Sequence, residues 1–210
     1  GIVTADDVME VIQNEATEDM EKMAAITPSD ESYLKTSVFK HAKKRVFWLL
    51  LLTLSASITG AIISHFEDAF VLVPVLVSFI PMLMDTGGNC GSQASTLIIR
   101  GLALGEIKTA DYLKIMFKEF RVSLVCGVIL SIVNFFVVWL RSGDPLVGLV
   151  VALTLLITIC VAKFIGGMLP ILAKKIKLDP AIMAAPIIST LVDCITIVCY
   201  FLIATAILGL

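Results

Sequence analysis

Residues 81–105 read PMLMDTGGNCGSQASTLIIRGLALG, and the reading of this stretch decides how the whole chain is understood. It lies inside a long apolar segment, yet Asp85, Thr86, Asn89, Ser92, Gln93, Ser95 and Thr96 crowd its middle. Glycines at Gly87, Gly88 and Gly91 interrupt them. In hydrocarbon every such polar group costs free energy unless it finds a partner. The glycines let another backbone come close, or let the helix loosen and turn its carbonyls outward. The segment is therefore expected to face a polar pathway or a partner helix, not lipid.

The flanking sequence supplies the membrane. The 210 residues are 58% hydrophobic with a mean hydropathy of +0.98, far above what a soluble domain carries. That average hides a division near Arg45. Residues 1–31 hold Asp6, Asp7, Glu10, Glu15, Glu18, Asp19, Glu21, Asp30 and Glu31 against a single base, Lys22. Beyond Arg45 the chain is a series of apolar blocks with short charged punctuation. The net charge of -2 therefore describes neither part.

The acidic N-terminus lacks the basic and apolar regions of a secretory signal. Gly1 to Thr4 reads as a short buried strand, and Ala5 to about Ala25 as an amphipathic helix with Val8, Val11, Ile12 and Met20 on its apolar stripe. Residues 1–31 are thus expected to be the tail of a truncated regulatory domain. Thr27-Pro28-Ser29-Asp30 ends that helix. Residues 32–45, SYLKTSVFKHAKKR, read as a basic amphipathic connecting helix, with Tyr33, Leu34, Val38 and Phe39 on one face.

Residues 46–210 are expected to form five membrane spans: Val46 to Ser64, Val71 to about Leu104, roughly Phe120 to Leu140, Leu146 to Leu172, and Ala181 to Leu210. As one helix the second would measure about 50 Å at ~1.5 Å per residue. That exceeds a hydrocarbon core of ~30 Å, so it should project into water or bend at Pro81 or the glycines. Lys35, Lys40, Lys43, Lys44 and Arg45 precede the first span. Arg100, Lys108, Lys114, Lys118 and Arg121 flank the second connection, and Lys174, Lys175 and Lys177 the fourth. The opposite side has Arg141 alone among its bases, beside His65, Glu67, Asp68 and Asp144. This bias predicts a cytoplasmic N-terminus and an external C-terminus in a multi-pass protein of the cell membrane.

The five cysteines, Cys90, Cys126, Cys160, Cys194 and Cys199, all fall in spans without CxxC spacing and read as apolar filler. Thr53, Ser55, Ser57 and Thr59 read as hydroxyls bonded to their own helix. Three ionisable residues, Asp85, Lys163 and Asp193, lie at membrane depth, where each costs ~2.5–3.5 kcal/mol at a helix centre. With Ser189 and Thr190 one turn before it and no base nearby, Asp193 must be neutral or meet a cation. Lys163 is expected to snorkel or pair with an acid, in preference to a direct role in transport. Asp85 is placed at the outer mouth of a pathway, where it would attract cations.

Pro81 to Glu106, with its Gly88-Asn89-Cys90-Gly91-Ser92-Gln93 core and Arg100-Gly101-Leu102-Ala103 ending, resembles the second membrane helix of the MgtE magnesium channel family. Asp179-Pro180-Ala181, followed by Pro186, Thr190 and Asp193, is similar to that family's fifth helix. Gly1 to Met23 resembles the end of its second CBS domain. The resemblance implies an all-α homodimer with five helices per subunit, a cytoplasmic N-terminus and a central pore. It also implies a Mg2+ site at Asp193, with Gly88, Asn89, Ser92, Gln93, Thr96, Ser189 and Thr190 lining the path. Asp85 departs from the family pattern, so its role is read from the residues alone.

Chemistry agrees with that implication. Mg2+ prefers about six oxygen donors at ~2.0–2.1 Å and sheds water reluctantly. Two Asp193 carboxylates across a dimer axis would balance one hydrated divalent ion by outer-sphere bonds. The expected partners are Mg2+, a second copy and lipid, with no organic cofactor and no nucleic acid. A second reading, an ion-coupled carrier of broader divalent selectivity, uses the same residues. A third, an intramembrane aspartyl protease, rests on the triplet Asp85-Thr86-Gly87 with Asp193 as partner.

Overall fold

The computed structural model describes residues 1–29, 33–66, 71–183 and 185–209. Asp30, Glu31, Ser32, Glu67, Asp68 and Leu210, which enter the charge pattern and span limits above, lie outside the described residues. The described chain is built from helices α1 (Ala5–Met23), α2 (Val38–His65), α3 (Ile80–Ala103), α4 (Tyr112–Ser142), α5 (Pro145–Lys175) and α6 (Ala185–Leu208). Single 3-10 turns at Pro74–Phe79, Thr109–Asp111 and Pro180–Met183 lead into α3, α4 and α6.

Among the described residues, α2, α4, α5 and α6 lie in stretches long and apolar enough to cross a membrane; α3 is not among them. Its polar residues lower its hydropathy, and its position compensates: α3 is held between α5 and α6. The contact is made by missing side chains. A Cβ on Gly166 of α5 would stand 2.1 Å from the Gly91 carbonyl oxygen of α3. One on Gly91 would stand 2.5 Å from Ile188 Cγ2 of α6 and 3.1 Å from the Ala162 carbonyl oxygen of α5. The glycines therefore serve close approach, and α3 runs through them unbroken. The break comes earlier, before Ile80, where Pro74 and Pro81 open successive helical segments.

Around this contact Leu76, Leu83, Val151, Leu155, Ile159, Ile188, Val192 and Phe201 form a fully enclosed core. Buried Tyr200 donates its hydroxyl to the Leu76 carbonyl at 2.9 Å, fastening α6 to the turn before α3. The α4–α5 hairpin turns on Gly143 at φ 75, where a side chain would be strained, and Asp144 caps α5 by accepting from Leu146 N at 2.8 Å. α2 lies at the edge. It touches α6, where Thr59 Oγ1 lies 3.3 Å from Cys194 Sγ and Phe66 stacks on Phe201 at 4.6 Å. Thr53 and Ser57 bond to their own helix as expected, whereas Thr59 is buried and reaches across.

Two expectations at the N-terminal end change. Residues 1–4 form no strand; they are exposed, with no strand partner among the described residues, and Thr4 instead caps α1 in a reciprocal bond with Asp7. The stripe of Val8, Val11, Ile12 and Met20 is exposed. The helix expected over 32–45 begins at Val38, behind the cap Ser37, and continues through Arg45 into the first span. Nothing between Arg45 and Val46 breaks a helix, so the basic residues are simply the polar end of α2.

The end of α1 docks against α3 and the turn that precedes α6. Met23 packs with Ile99 and Ala181. Lys22 Nζ lies 2.5 Å from Asp179 Oδ2 and also pairs with Glu18. The bonds to Asp179 and Glu18 hold the Lys22 ammonium above its ordinary pKa. Burial alone would raise Asp179, but the bonds from Lys22 and the Ala181 N–H hold its carboxyl below the usual value. The Asp179 contribution is thus present above the unfolded value of about 3.9 and lost as pH falls through the lower folded one. That of Lys22 is present below about 10.4 and lost as pH rises through its folded value.

Two outcomes follow. Gly166→Ala should destabilise the purified protein by ~2 kcal/mol or more, while Gly60→Ala, whose Cβ meets nothing within 4 Å, should be neutral or better; thermal unfolding in detergent reads both. Asp179→Asn should loosen α1 at neutral pH as acid does in the parent, by about 1 kcal/mol or less for a partly exposed pair. Amide exchange over residues 5–23 measures it, and unchanged protection would contradict the clip.

Candidate cation pathway

α3 has two faces. Gly87, Cys90, Gly91, Ala94, Ser95 and Ile98 are buried against the bundle. Asp85, Asn89, Gln93 and Thr96 are exposed on the other, with Ser92 half-buried beside them. Spacings of three and four residues put this second set on one stripe. A helix needing only to fill a membrane would place apolar residues there.

The stripe is open to two adjoining cavities. The first, of about 200 Å3, is lined by Met84, Asp85, Gly88 and Asn89 of α3 and by Ser189 and Asp193 of α6. The second, of about 630 Å3, is a groove along Asn89, Ser92, Gln93, Thr96 and Leu97. Asn89 lines both, so the two adjoin at this residue. Gly88 sets the width of the first: a Cβ there would stand 2.8 Å from Ser189 Oγ. Only glycine lets α3 come this close to the serine and leave the aspartates beside it.

At the first cavity Asn89 Nδ2 donates to Asp85 Oδ2 at 3.1 Å, and one turn on, in the groove, Ser92 Oγ donates to the Gly88 carbonyl at 2.8 Å. Asp193 is half-buried and makes no hydrogen bond or ion pair among the described residues. Asp85 and Asp193 line one cavity and repel each other. Two carboxylates, a side-chain amide and a hydroxyl are hard donors suited to a cation that keeps part of its water. Among the described residues no cluster of three or more His, Cys, Asp or Glu closes around a dehydrated ion. Cys90 and Cys194, the soft donors nearest in sequence, line neither cavity.

The structure thus gathers Asp85, Gly88, Asn89, Ser189 and Asp193 at one cavity, and Ser92, Gln93 and Thr96 along the next. Thr190 lines neither; its hydroxyl bonds the Pro186 carbonyl at 3.0 Å, within its own helix. Asp85 is exposed and lines the same cavity as Asp193. Met84 also lines it, and a methionine among core residues gave no sequence signal. Lys163 is buried in α5, away from both cavities.

These features define a multi-pass helical membrane protein in which a polar helix packed inside the bundle carries an acid-lined, oxygen-donor cleft. The chain belongs to the MgtE family: residues 80–203 match that family, described as a divalent cation transporter. It is 40% identical over 210 residues to the magnesium transporter MgtE of Bacillus subtilis, covering 98% of this chain and 45% of that protein. To the magnesium transporter MgtE of Thermus thermophilus it is 36% identical over 208 residues, covering 99% of this chain and 46% of the other. A third, from Enterococcus faecalis, is 31% identical over 205 residues, 98% of this chain and 45% of the relative. The chain therefore spans a little under half the length of these relatives. The protease reading falls here: the relatives are named transporters, and Asp85-Thr86-Gly87 is a turn of continuous α-helix, not the loop that presents such a triplet.

If Asp193 and Asp85 share one ion, Asp193→Asn should abolish the stabilisation that Mg2+ gives the purified protein, and Asp85→Asn should weaken it about tenfold or less. Unfolding midpoints against Mg2+ concentration decide it. Equal protection of the Asp193 variant and the parent would remove Asp193 from the site.

Proposed function

We propose that this chain is the conducting part of a magnesium channel, passing Mg2+ into the cytoplasm down its electrochemical gradient. The observation that carries this reading is the pair Asp85 and Asp193 on one cavity, with Asp193 lacking any protein counter-charge among the described residues. A carboxylate at membrane depth is tolerated when a cation compensates it. In this reading α3 crosses the membrane as a fifth span, and the basic ends of the helices face the cytoplasm.

The exposed stripe on α3 needs a polar neighbour. A second copy related by a twofold axis supplies one, placing the two stripes across a shared water-filled path. Two Asp193 carboxylates then match the charge of one divalent ion, and Ser189, Asn89 and the α3 hydroxyls hold its water. The driving force is the membrane potential, worth about 2 × 2.3 kcal/mol per 100 mV for a doubly charged ion.

The decisive experiment is Mg2+ uptake into proteoliposomes containing the dimer. Asp193→Asn should reduce flux to background with expression and dimer content unchanged. Currents far above carrier turnover are expected, and flux that depends on a proton or sodium gradient would instead favour the coupled carrier. Leu97→Cys, at the edge of the groove, should cross-link between copies in membranes; monomers alone would defeat the twofold arrangement.

A further inference from the structure

Two buried charges lie outside this pathway. Lys163 of α5 is 5% exposed and Glu119 of α4 is 8% exposed. Neither makes a hydrogen bond or direct ion pair among the described residues. The register of the α4–α5 hairpin nevertheless brings them to one level. Ser123 Oγ of α4 donates to Cys160 Sγ of α5 at 3.4 Å. A Cβ on Gly167 of α5 would stand 3.5 Å from Glu119 Cγ. Positions 160, 163 and 167 share one stripe of α5, and on α4 Ile115, Glu119, Ser123 and Gly127 form the buried stripe that meets it. Lys163 thus lies between two points of α5 that touch Ser123 and Glu119.

The same stretch of α5 presses on the pathway helix. Ala162 and Gly166, on either side of Lys163, make the close contact with Gly91. Lys163 directly follows Ala162, whose carbonyl oxygen belongs to the contact at Gly91, two residues after Asn89. A fixed positive charge therefore stands one helix behind a face proposed to receive a divalent cation. Uncompensated, it would be costly to bury and would repel the ion through a medium that screens poorly.

We propose that Glu119 is the counter-charge of Lys163, and that this buried pair sets the electrostatic potential of the cation pathway from behind α3. Both are positioning residues: neither touches the ion. The proposal rests on the pathway reading above. It predicts effects of opposite sign, which a purely structural role does not produce.

The test is a Mg2+ titration of thermal stability on the purified full chain. Glu119→Gln leaves the ammonium alone and should raise the half-protecting Mg2+ concentration by about three- to tenfold. Lys163→Met leaves the carboxylate alone and should lower it by a similar factor. The double variant should return to within about twofold of the parent. Single variants that shift the same way, shift nothing, or are not corrected in the double variant would overturn the proposal. Should a single variant fail to fold, the exchange Glu119→Lys with Lys163→Glu is read instead; it must fold and bind as the parent does, and failure on either count overturns the pair. The two readings fail separately. Protection that survives Asp193→Asn defeats the pathway, while the pair is then judged by its coupling in a double-mutant cycle of unfolding without Mg2+, where zero coupling rejects it.

Discussion

The structure depends on the approach of α3 to α5 at Gly91 and Gly166, where backbone meets backbone. In a bilayer, helices gain little from burying apolar surface against one another, so small residues and close packing decide which ones associate. This contact, widened by Gly87 and Gly88 against α6, lets a helix too polar to cross on hydropathy alone sit inside the bundle. It also fixes rotation. With the glycine face turned inward, Asp85, Asn89, Gln93 and Thr96 must face outward, and the cleft follows from the packing.

Electrostatics then gives the cleft its character. Asp85 and Asp193 are like charges on one cavity, Asn89 supports Asp85, and Asp193 has no protein cation beside it among the described residues. The match to a family described as a divalent cation transporter spans residues 80–203, which include these residues, and their donor chemistry suits a hydrated hard ion. Away from the cleft, Lys22 and Asp179 clip α1 to the turn that leads into α6, so the acidic N-terminal helix is held against that turn and Ile99 of α3.

Much of this was legible because a membrane penalises polarity. Asn89, Gln93 and Asp193 stand out against apolar neighbours, and so residues that line the two cavities could be named from the chain. The glycines were legible as a requirement, with close approach and local unwinding both open; only the packing chose between them. What escaped was whatever depends on a neighbour's rotation. Thr190 and Ser189 look alike in sequence, yet one bonds its own helix and the other lines the cavity. Glu119 sits among the basic residues of a helix end and reads as punctuation, although packing buries it. The strand expected at residues 1–4 needed a partner strand that the described chain does not supply.

The most direct measurement is an experimental density map of the full chain in lipid at high Mg2+. The account predicts a twofold dimer with ion density near the axis, between the two Asp193 carboxylates and farther from them than the ~2.0–2.1 Å of direct coordination. An Asp193 turned to lipid, or a dry helix contact between copies with no ion at that level, would contradict it.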